Sequence, residues 1–144
     1  AEHVVVSDLN NDSWVSEAKQ ATDCPGFHAV FDGVGAATFK GSTLVLRHLG
    51  TLLQYGNASG KVGPIDIFDL VPRAIKLMRP SLYEIVGGEP NGMALLVSHT
   101  LSLVQQGILK VNVQQVLPLS DAAVAHNILK SRGTAGKLLL DTTK

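Results

Sequence analysis

The sequence predicts an α/β fold that is organised around a parallel sheet. Residues 27–60 have the pattern of a buried strand, a glycine turn, a helix, and a second strand that ends in another glycine turn. Residues 28–31 are apolar without helical spacing, and Gly33 and Gly35 interrupt the run directly. Two strands joined by one helix lie parallel. Ligands of open parallel sheets bind outside the carboxyl ends of the strands, so both glycine turns are candidate site elements.

A strand and a short helix are predicted before this βαβ unit. Residues 3–6 are apolar and mostly β-branched, and the polar run behind them indicates a loop. Asp12 or Ser13 is expected to cap a helix with an apolar face that includes Trp14. Inside the unit, the helix is expected to begin at Thr38 and to close at Gly50.

The elements beyond Gly60 are predicted from local signals of the same kind. Glycine and proline residues interrupt the apolar segment 61–72, which indicates a loop that leads into a short helix. The tail is expected to hold a helix capped by Ser120 and closed by Gly133. The remaining predictions are extended or mixed segments at 74–77 and 82–86, a helix at 91–106 with Gly107 as its stop, and strands at 108–113 and 138–140.

Composition argues against several functional classes. The formal net charge is zero and no basic cluster exists, which argues against a nucleic-acid partner. The single cysteine, Cys24, excludes an internal disulfide and fits a reducing, cytoplasmic setting. The longest uncharged apolar run, residues 93–104, is too short for a membrane span and is interpreted as a core helix that includes His99.

No catalytic or metal-binding motif is recognisable. Gly33 and Gly35 follow a strand, as in the dinucleotide fingerprint, but Thr38 occupies the third glycine position. The second strand ends in Tyr55, where that fingerprint has an acidic residue nearby to bind ribose. A tight structural turn is therefore the default interpretation. The five histidines share no ligand spacing with each other or with carboxylates, so we assign no metal site and no catalytic residue.

Five runs, taken together and in this order, resemble a known family. They are Phe31-Asp32-Gly33-Val34-Gly35, Tyr55-Gly56-Asn57-Ala58-Ser59-Gly60, Arg79-Pro80-Ser81-Leu82, Pro118-Leu119-Ser120-Asp121-Ala122-Ala123 with Ala125-His126, and Ser131-Arg132-Gly133-Thr134-Ala135-Gly136-Lys137. This pattern is similar to the carboxyl-terminal half of the NADPH:quinone oxidoreductases. These are the zinc-independent, zeta-crystallin-like members of the medium-chain dehydrogenase/reductase superfamily.

The resemblance implies a fold and a set of cofactor contacts. Residues 1–79 would form part of a Rossmann-type nucleotide-binding domain, strands three to six of its sheet. Residues 80–144 would hold a linking helix and the carboxyl-terminal segment of a GroES-like catalytic domain. The family's cofactor contacts then correspond to Val34, Tyr55, Gly56, Asn57, Ala58, Leu77, Met78, Arg79 and Arg132.

The resemblance also implies an activity. The family transfers hydride from NADPH to a quinone or a similar activated enone, without metal or flavin, and we expect a homodimer formed through the cofactor domain. Ser7 stands where the family often has a tyrosine for the 2′-phosphate, so NADH remains an option. Two alternatives stay open: a non-catalytic structural or interaction module of the same superfamily, and an enoyl reductase domain.

The family's first half has no counterpart in this sequence, which suggests a fragment of a longer enzyme that is not active alone. Residues 3–6 would be strand three, whose neighbours in the order 3-2-1-4-5-6 are strand two and, beyond it, strand one. Without those strands, we expect residues 3–6 either to pair with strand four or to associate with other chains through exposed edges.

Overall fold

The computed structural model of this chain describes residues 2–6, 11–22, 25–131 and 133–143. The backbone divides into two compact units, Ala1–Gly87 and Gly88–Lys144, and each unit contains its own parallel sheet. The predicted α/β class is therefore confirmed. The domain boundary predicted after Arg79 refers to a full-length enzyme and stays a prediction.

Among the described residues, the sheet of the first unit has three parallel strands that lie side by side in chain order. Phe31 pairs with Leu53, and Leu53 in turn pairs with Met78. The three carboxyl ends therefore lie at one edge of the sheet, as the βαβ prediction requires. The strands are β1 (Phe27–Asp32), β2 (Leu46–Gln54) and β3 (Lys76–Met78).

The described part of the first unit also contains four short helices. Helix α1 (Ser13–Gln20) precedes the sheet, and helix α2 (Phe39–Leu44) connects β1 to β2. A 3₁₀ helix (Ile67–Arg73) leads into β3, in agreement with the loop and short helix predicted there. Helix α3 (Leu82–Ile85) follows β3, at a segment predicted as extended or mixed.

The prediction that the helix of the βαβ unit runs to Gly50 is wrong. Helix α2 ends at Leu44, and Leu46 is already in β2, where it pairs with Phe27 and is completely buried. Burying a leucine side chain contributes about 1.5–3 kcal/mol, which exceeds the small helix propensity of the same residue. The residues between Leu46 and Thr51 bulge from the ladder, and Leu49 adopts a left-handed backbone with φ 59°.

Residues 3–6 form no strand, contrary to the prediction. They are exposed, and among the described residues β1 pairs with β2 alone, so the first of the two expected alternatives, pairing with strand four, does not form. The second alternative, association with other chains, stays a prediction. An extended segment without a sheet partner leaves its backbone N–H and C=O groups to water. Val5 lines a cleft with Trp14 and Val30, and His3 lines another cleft with Phe27 of β1.

Where the structure describes it, the second unit has two parallel strands and two α-helices. These are α4 (Gly92–Gln105), β4 (Val113–Pro118), α5 (Ala122–Lys130) and β5 (Lys137–Asp141), with a 3₁₀ turn (Leu119–Asp121) between β4 and α5. The strand predicted at 108–113 is wrong, because pairing with β5 begins only at Val113. Ser120 lies inside the 3₁₀ turn, and Asp121 occupies the N-cap position instead.

The apolar core of the described residues is small. In the first unit it consists of Val15, Val45, Leu46 and Leu52, and in the second unit of Leu117 and Ala125. Helix α4 has no buried residue, and its His99 is exposed, so the interpretation of residues 93–104 as a core helix is wrong. Strand β1 was expected to be buried, yet Phe31 is 70% exposed. No described element covers these apolar faces. None of the described helices is both long and apolar enough to cross a membrane.

Candidate ligand site at the carboxyl edge of the sheet

The structure brings most of the predicted contact residues together at the carboxyl edge of the first sheet. Val34 follows β1, and the segment from Tyr55 to Ala58 follows β2. Arg79 follows β3, and its Nη1 donates a hydrogen bond of 2.9 Å to the carbonyl oxygen of Tyr55. Leu77 and Met78 lie in β3 itself. Arg132 lies outside the described residues.

The two glycine turns at this edge touch each other through their backbones. A Cβ placed on Gly56 would lie 2.0 Å from the carbonyl oxygen of Gly33. A Cβ on Gly35 would lie 2.6 Å from the carbonyl oxygen of Gly60, and Gly35 has a φ of 95°. The close approach suggested by Gly33 and Gly35 is therefore made by the second turn of the same chain. The default interpretation, a tight structural turn, agrees with the structure.

Hydrogen bonds hold the second turn against the first. The amides of Tyr55 and Gly56 donate to the carbonyl oxygen of Asp32, at 2.9 and 3.2 Å. The amide and the hydroxyl of Ser59 both lie 2.8 Å from the carbonyl oxygen of Val34. The side-chain amide of Gln54 donates to the carbonyl oxygen of Gly56. These bonds fix the backbone orientation of the segment between Tyr55 and Ala58, and with it the direction of the N–H groups of Asn57 and Ala58.

Two backbone amides in this segment are available to a ligand. Within the part of the chain that the structure describes, the N–H groups of Asn57 and Ala58 donate to no protein acceptor. Both residues are exposed, whereas the carbonyl oxygens of Tyr55, Gly56 and Asn57 accept bonds within the protein. The turn can therefore donate hydrogen bonds to a ligand carbonyl or phosphate oxygen from backbone that is already held in place.

A cleft of about 390 Å³ opens beside this turn. Tyr55, Arg79 and Tyr83 contribute to its wall, together with the start of helix α3. The volume lies in the range of small-molecule sites, and the wall combines two aromatic rings with one guanidinium. A planar ring that carries a polar substituent matches this combination.

Asp32 is the residue that sequence reasoning missed. Its side chain is only 4% exposed, and it accepts bonds from Val34 N, Gly35 N, Thr38 Oγ1 and Ser42 Oγ. The available signal was a carboxylate at the end of an apolar strand, directly before a glycine turn. Its role depends on Thr38 and Ser42, which local sequence patterns do not connect to it.

The described residues contain no cluster of His, Cys, Asp or Glu that could hold a metal ion. Asp66 caps the 3₁₀ helix by accepting the Phe68 amide at 2.9 Å, and it takes no part in the edge described above. The free amides of Asn57 and Ala58 and the cleft beside them can bind and orient a ligand at this edge.

Parallel strands joined through helices, with backbone turns held at their carboxyl ends, define a Rossmann-type ligand-binding fold. Comparison with protein families matches residues 1–140 to the zinc-binding dehydrogenases. The chain belongs to this family, and it corresponds to the carboxyl-terminal half of the family's quinone oxidoreductases, as the sequence runs predicted.

Two curated relatives illustrate the similarity. A probable quinone oxidoreductase of Schizosaccharomyces pombe is 35% identical over 83% of this chain and 36% of its own length. Quinone oxidoreductase 1 of Escherichia coli is 32% identical over 94% of this chain and 42% of its own length. The chain thus spans about two fifths of the length of the curated relatives it matches.

Solved structures agree with this result. The Escherichia coli quinone oxidoreductase, determined in complex with NADPH, aligns with a TM-score of 0.79 and 32% identity over 92% of this chain and 41% of its own. A mycobacterial protein determined with NADPH aligns with a TM-score of 0.77 and 32% identity over 94% of this chain and 41% of its own.

Proposed function

We propose that this chain is part of an NAD(P)H-dependent oxidoreductase that transfers hydride to a quinone or a similar activated enone. The observation that supports this most directly is the convergence of Val34, Asn57, Ala58 and Arg79 at one edge of the parallel sheet. Two similar proteins of known structure were determined with NADPH, which supports the same cofactor here.

The residues present fit the nicotinamide end of such a cofactor. The free amides of Asn57 and Ala58 would hold polar groups of the cofactor, and Val34 would provide an apolar contact. The backbone of Leu77 and Met78 would meet the carboxamide, and Arg79 would brace the turn through the carbonyl of Tyr55. Arg132 is proposed as a further contact from the chain end. When bound, the cofactor supplies the hydride, and this chain contributes binding and orientation.

We also propose a specific hydride acceptor, a quinone, and a specific cofactor, NADPH. A quinone is supported by the names of the curated relatives, and NADPH by the two structures. A 2-haloacrylate reductase is 31% identical over 85% of this chain, which supports a halogenated, conjugated acid as a second acceptor class. Ser7, which is expected to influence the preference for NADPH over NADH, lies outside the described residues.

Two alternatives from the sequence stay proposals as well. An enoyl reductase structure aligns with a TM-score of 0.67 at 20% identity, which shows a shared fold alone. A non-catalytic interaction module of the same superfamily would keep the fold without nucleotide affinity. Turnover of an α,β-unsaturated thioester would support the enoyl reductase, and the absence of nucleotide binding would support the module.

We also propose a homodimer formed through the first unit, in a cytoplasmic protein. Among the described residues β3 pairs only with β2, so its outer edge is open to a second copy of this chain. Sedimentation equilibrium of the full-length natural protein tests this proposal, and a monomer at micromolar concentration would contradict it.

The activity is tested by titrating the full-length natural protein with NADPH and by following quinone reduction. The variant Arg79→Met should raise the dissociation constant for NADPH about threefold to tenfold, because the Tyr55 carbonyl loses its donor. Arg47→Met is the matched control, since Arg47 is exposed in β2 away from the carboxyl edge. A wild-type protein that binds no nucleotide and reduces no acceptor would refute the proposed function.

A further inference from the structure

The buried carboxylate of Asp32 is connected to both glycine turns at the candidate site. Its Oδ1 accepts bonds from Val34 N at 2.8 Å, from Gly35 N at 3.0 Å and from Thr38 Oγ1 at 2.8 Å. Its Oδ2 lies 3.2 Å from the hydroxyl of Ser42. Two backbone donors and two hydroxyl donors from α2 and the turn before it therefore converge on one carboxylate.

The backbone of the same residue holds the second turn. The carbonyl oxygen of Asp32 accepts the amides of Tyr55 and Gly56. Val34, whose own amide is held by the Asp32 carboxylate, in turn accepts two bonds from Ser59. Displacement of Asp32 would therefore move both turns, including the segment that carries the free amides of Asn57 and Ala58.

The chemistry of this position favours a carboxylate. An ionised aspartate only accepts hydrogen bonds, and it offers two oxygens to the four donors around it. Bonds to an ionised acceptor are roughly twice as strong as bonds between neutral groups. An asparagine would keep one oxygen for the three donors at Oδ1, and its amide group would face the hydroxyls of Thr38 and Ser42, which can accept a hydrogen bond. An alanine would leave the backbone amides of Val34 and Gly35 without this acceptor.

We propose that Asp32 is a positioning residue for the nicotinamide end of the cofactor. It does not touch the ligand in this proposal; it sets the geometry of Val34 and of the turn from Tyr55 to Ala58, which do. The inference rests on the proposed function, because it names the residue that organises the proposed cofactor contacts.

The experiment compares two probes on the full-length natural protein. NADPH carries the nicotinamide, whereas 2′,5′-ADP carries only the adenosine half of the cofactor and lacks the group that the two turns would hold. Asp32→Ala should raise the dissociation constant for NADPH about tenfold and leave that for 2′,5′-ADP within about twofold. Asp32→Asn should recover most of the NADPH affinity, because its oxygen can still accept from Val34 and Gly35.

Two further variants keep the test decisive. Thr38→Val removes one hydroxyl donor with little change of shape and should raise the NADPH dissociation constant about threefold. If Asp32→Ala fails to fold, Thr38→Val and Asp32→Asn carry the comparison. Asp66→Ala is the matched control, because Asp66 also accepts a backbone amide, at the start of the 3₁₀ helix, but is exposed and makes none of the hydrogen bonds between the two glycine turns.

The outcomes separate the two proposals. A wild-type protein without affinity for NADPH overturns the proposed function, and this inference with it. Wild-type binding of both probes, with NADPH affinity unchanged in Asp32→Ala and Thr38→Val, overturns the inference alone. Equal loss of both probes in the variants would also overturn it, because such a loss indicates general structural damage rather than positioning.

Discussion

Gly56 and Gly63 show how differently single glycines are constrained in this chain. A Cβ on Gly56 would lie 2.0 Å from the carbonyl oxygen of Gly33, and 2.5 Å from its carbonyl carbon. Both atoms belong to backbone that is held by the Asp32 network, so neither can yield as a flexible side chain would. A Cβ on Gly63 would meet nothing within 4 Å.

We therefore expect Gly56→Ala to destabilise the protein by about 1–3 kcal/mol and to weaken NADPH binding, because the two turns are forced apart. Gly63→Ala should leave stability within about 0.5 kcal/mol, as surface substitutions usually do. Thermal unfolding and NADPH titration of both variants in the full-length protein measure these effects. Equal stability of the two variants would contradict the backbone contact between the turns.

Residue-scale patterns predicted which residues lie at the candidate site, but not the hydrogen bonds of Asp32 that hold them there. The runs around Val34, Tyr55 and Arg79 were recognisable from the resemblance, and the structure brings them to one edge. The part played by Asp32 was not predictable, because it depends on hydroxyls six and ten residues away that only the fold brings to the carboxylate.

At the scale of elements, helices α1 and α2 meet where Trp14 lies against Gly41. A Cβ on Gly41 would lie 2.3 Å from Cζ2 of Trp14, whose ring packs on the glycine. Alanine is favoured over glycine in a helix by up to about 1 kcal/mol. Because Gly41 is buried and the contact distance is far below van der Waals separation, the packing penalty should outweigh that gain.

Gly41→Ala is accordingly expected to destabilise the protein by about 1–2 kcal/mol despite its better helix propensity. In the background of Trp14→Ala, the same substitution should become neutral or stabilising, because the indole ring that clashes with the added Cβ has been removed. Urea unfolding of the two single variants and the double variant gives the coupling energy between the two sites. Additive effects within about 0.5 kcal/mol would show that the packing of Trp14 on Gly41 does not govern this helix pair.

The boundaries of a helix were predictable where residue types that favour helix ends stand next to it in the sequence. Asn91 and Gly107 bracket α4 as expected, with φ values of 67° and 72° that suit these two residue types. The junction of α2 and β2 was not predictable, because Leu46 fits either a helical stripe or a strand. Leu46 adopts the strand conformation because it pairs with Phe27 and is completely buried. Both interactions are tertiary contacts.

At the scale of the whole molecule, many large apolar side chains of the described residues are exposed, whereas only six apolar residues among them are buried. Leu95 and Leu101 in α4 are 67% and 56% exposed, and no residue of that helix is buried. The outer edges of β1 and β3 have no strand partner among the described residues. Exposed apolar faces and open strand edges both favour association.

We therefore expect the isolated 144-residue chain to associate at micromolar concentration and to bind a hydrophobic dye such as ANS. The double variant Leu95→Glu with Leu101→Glu should lower dye fluorescence several-fold, because it places charge on the exposed face of α4. Size-exclusion chromatography with light scattering measures the association. A compact monomer without dye binding would contradict the expectation.

The sequence by itself determined the α/β class, the parallel βαβ unit and the family, because each depends on local patterns: apolar runs without helical spacing, glycine turns behind them, and short runs in a fixed order. Only the tertiary structure decided that residues 3–6 remain unpaired, that β2 begins at Leu46, and that the two glycine turns pack on each other. These outcomes depend on hydrogen bonds and burial between segments distant in the chain. The free energy of such contacts is a property of the fold and does not appear in any local window of the sequence.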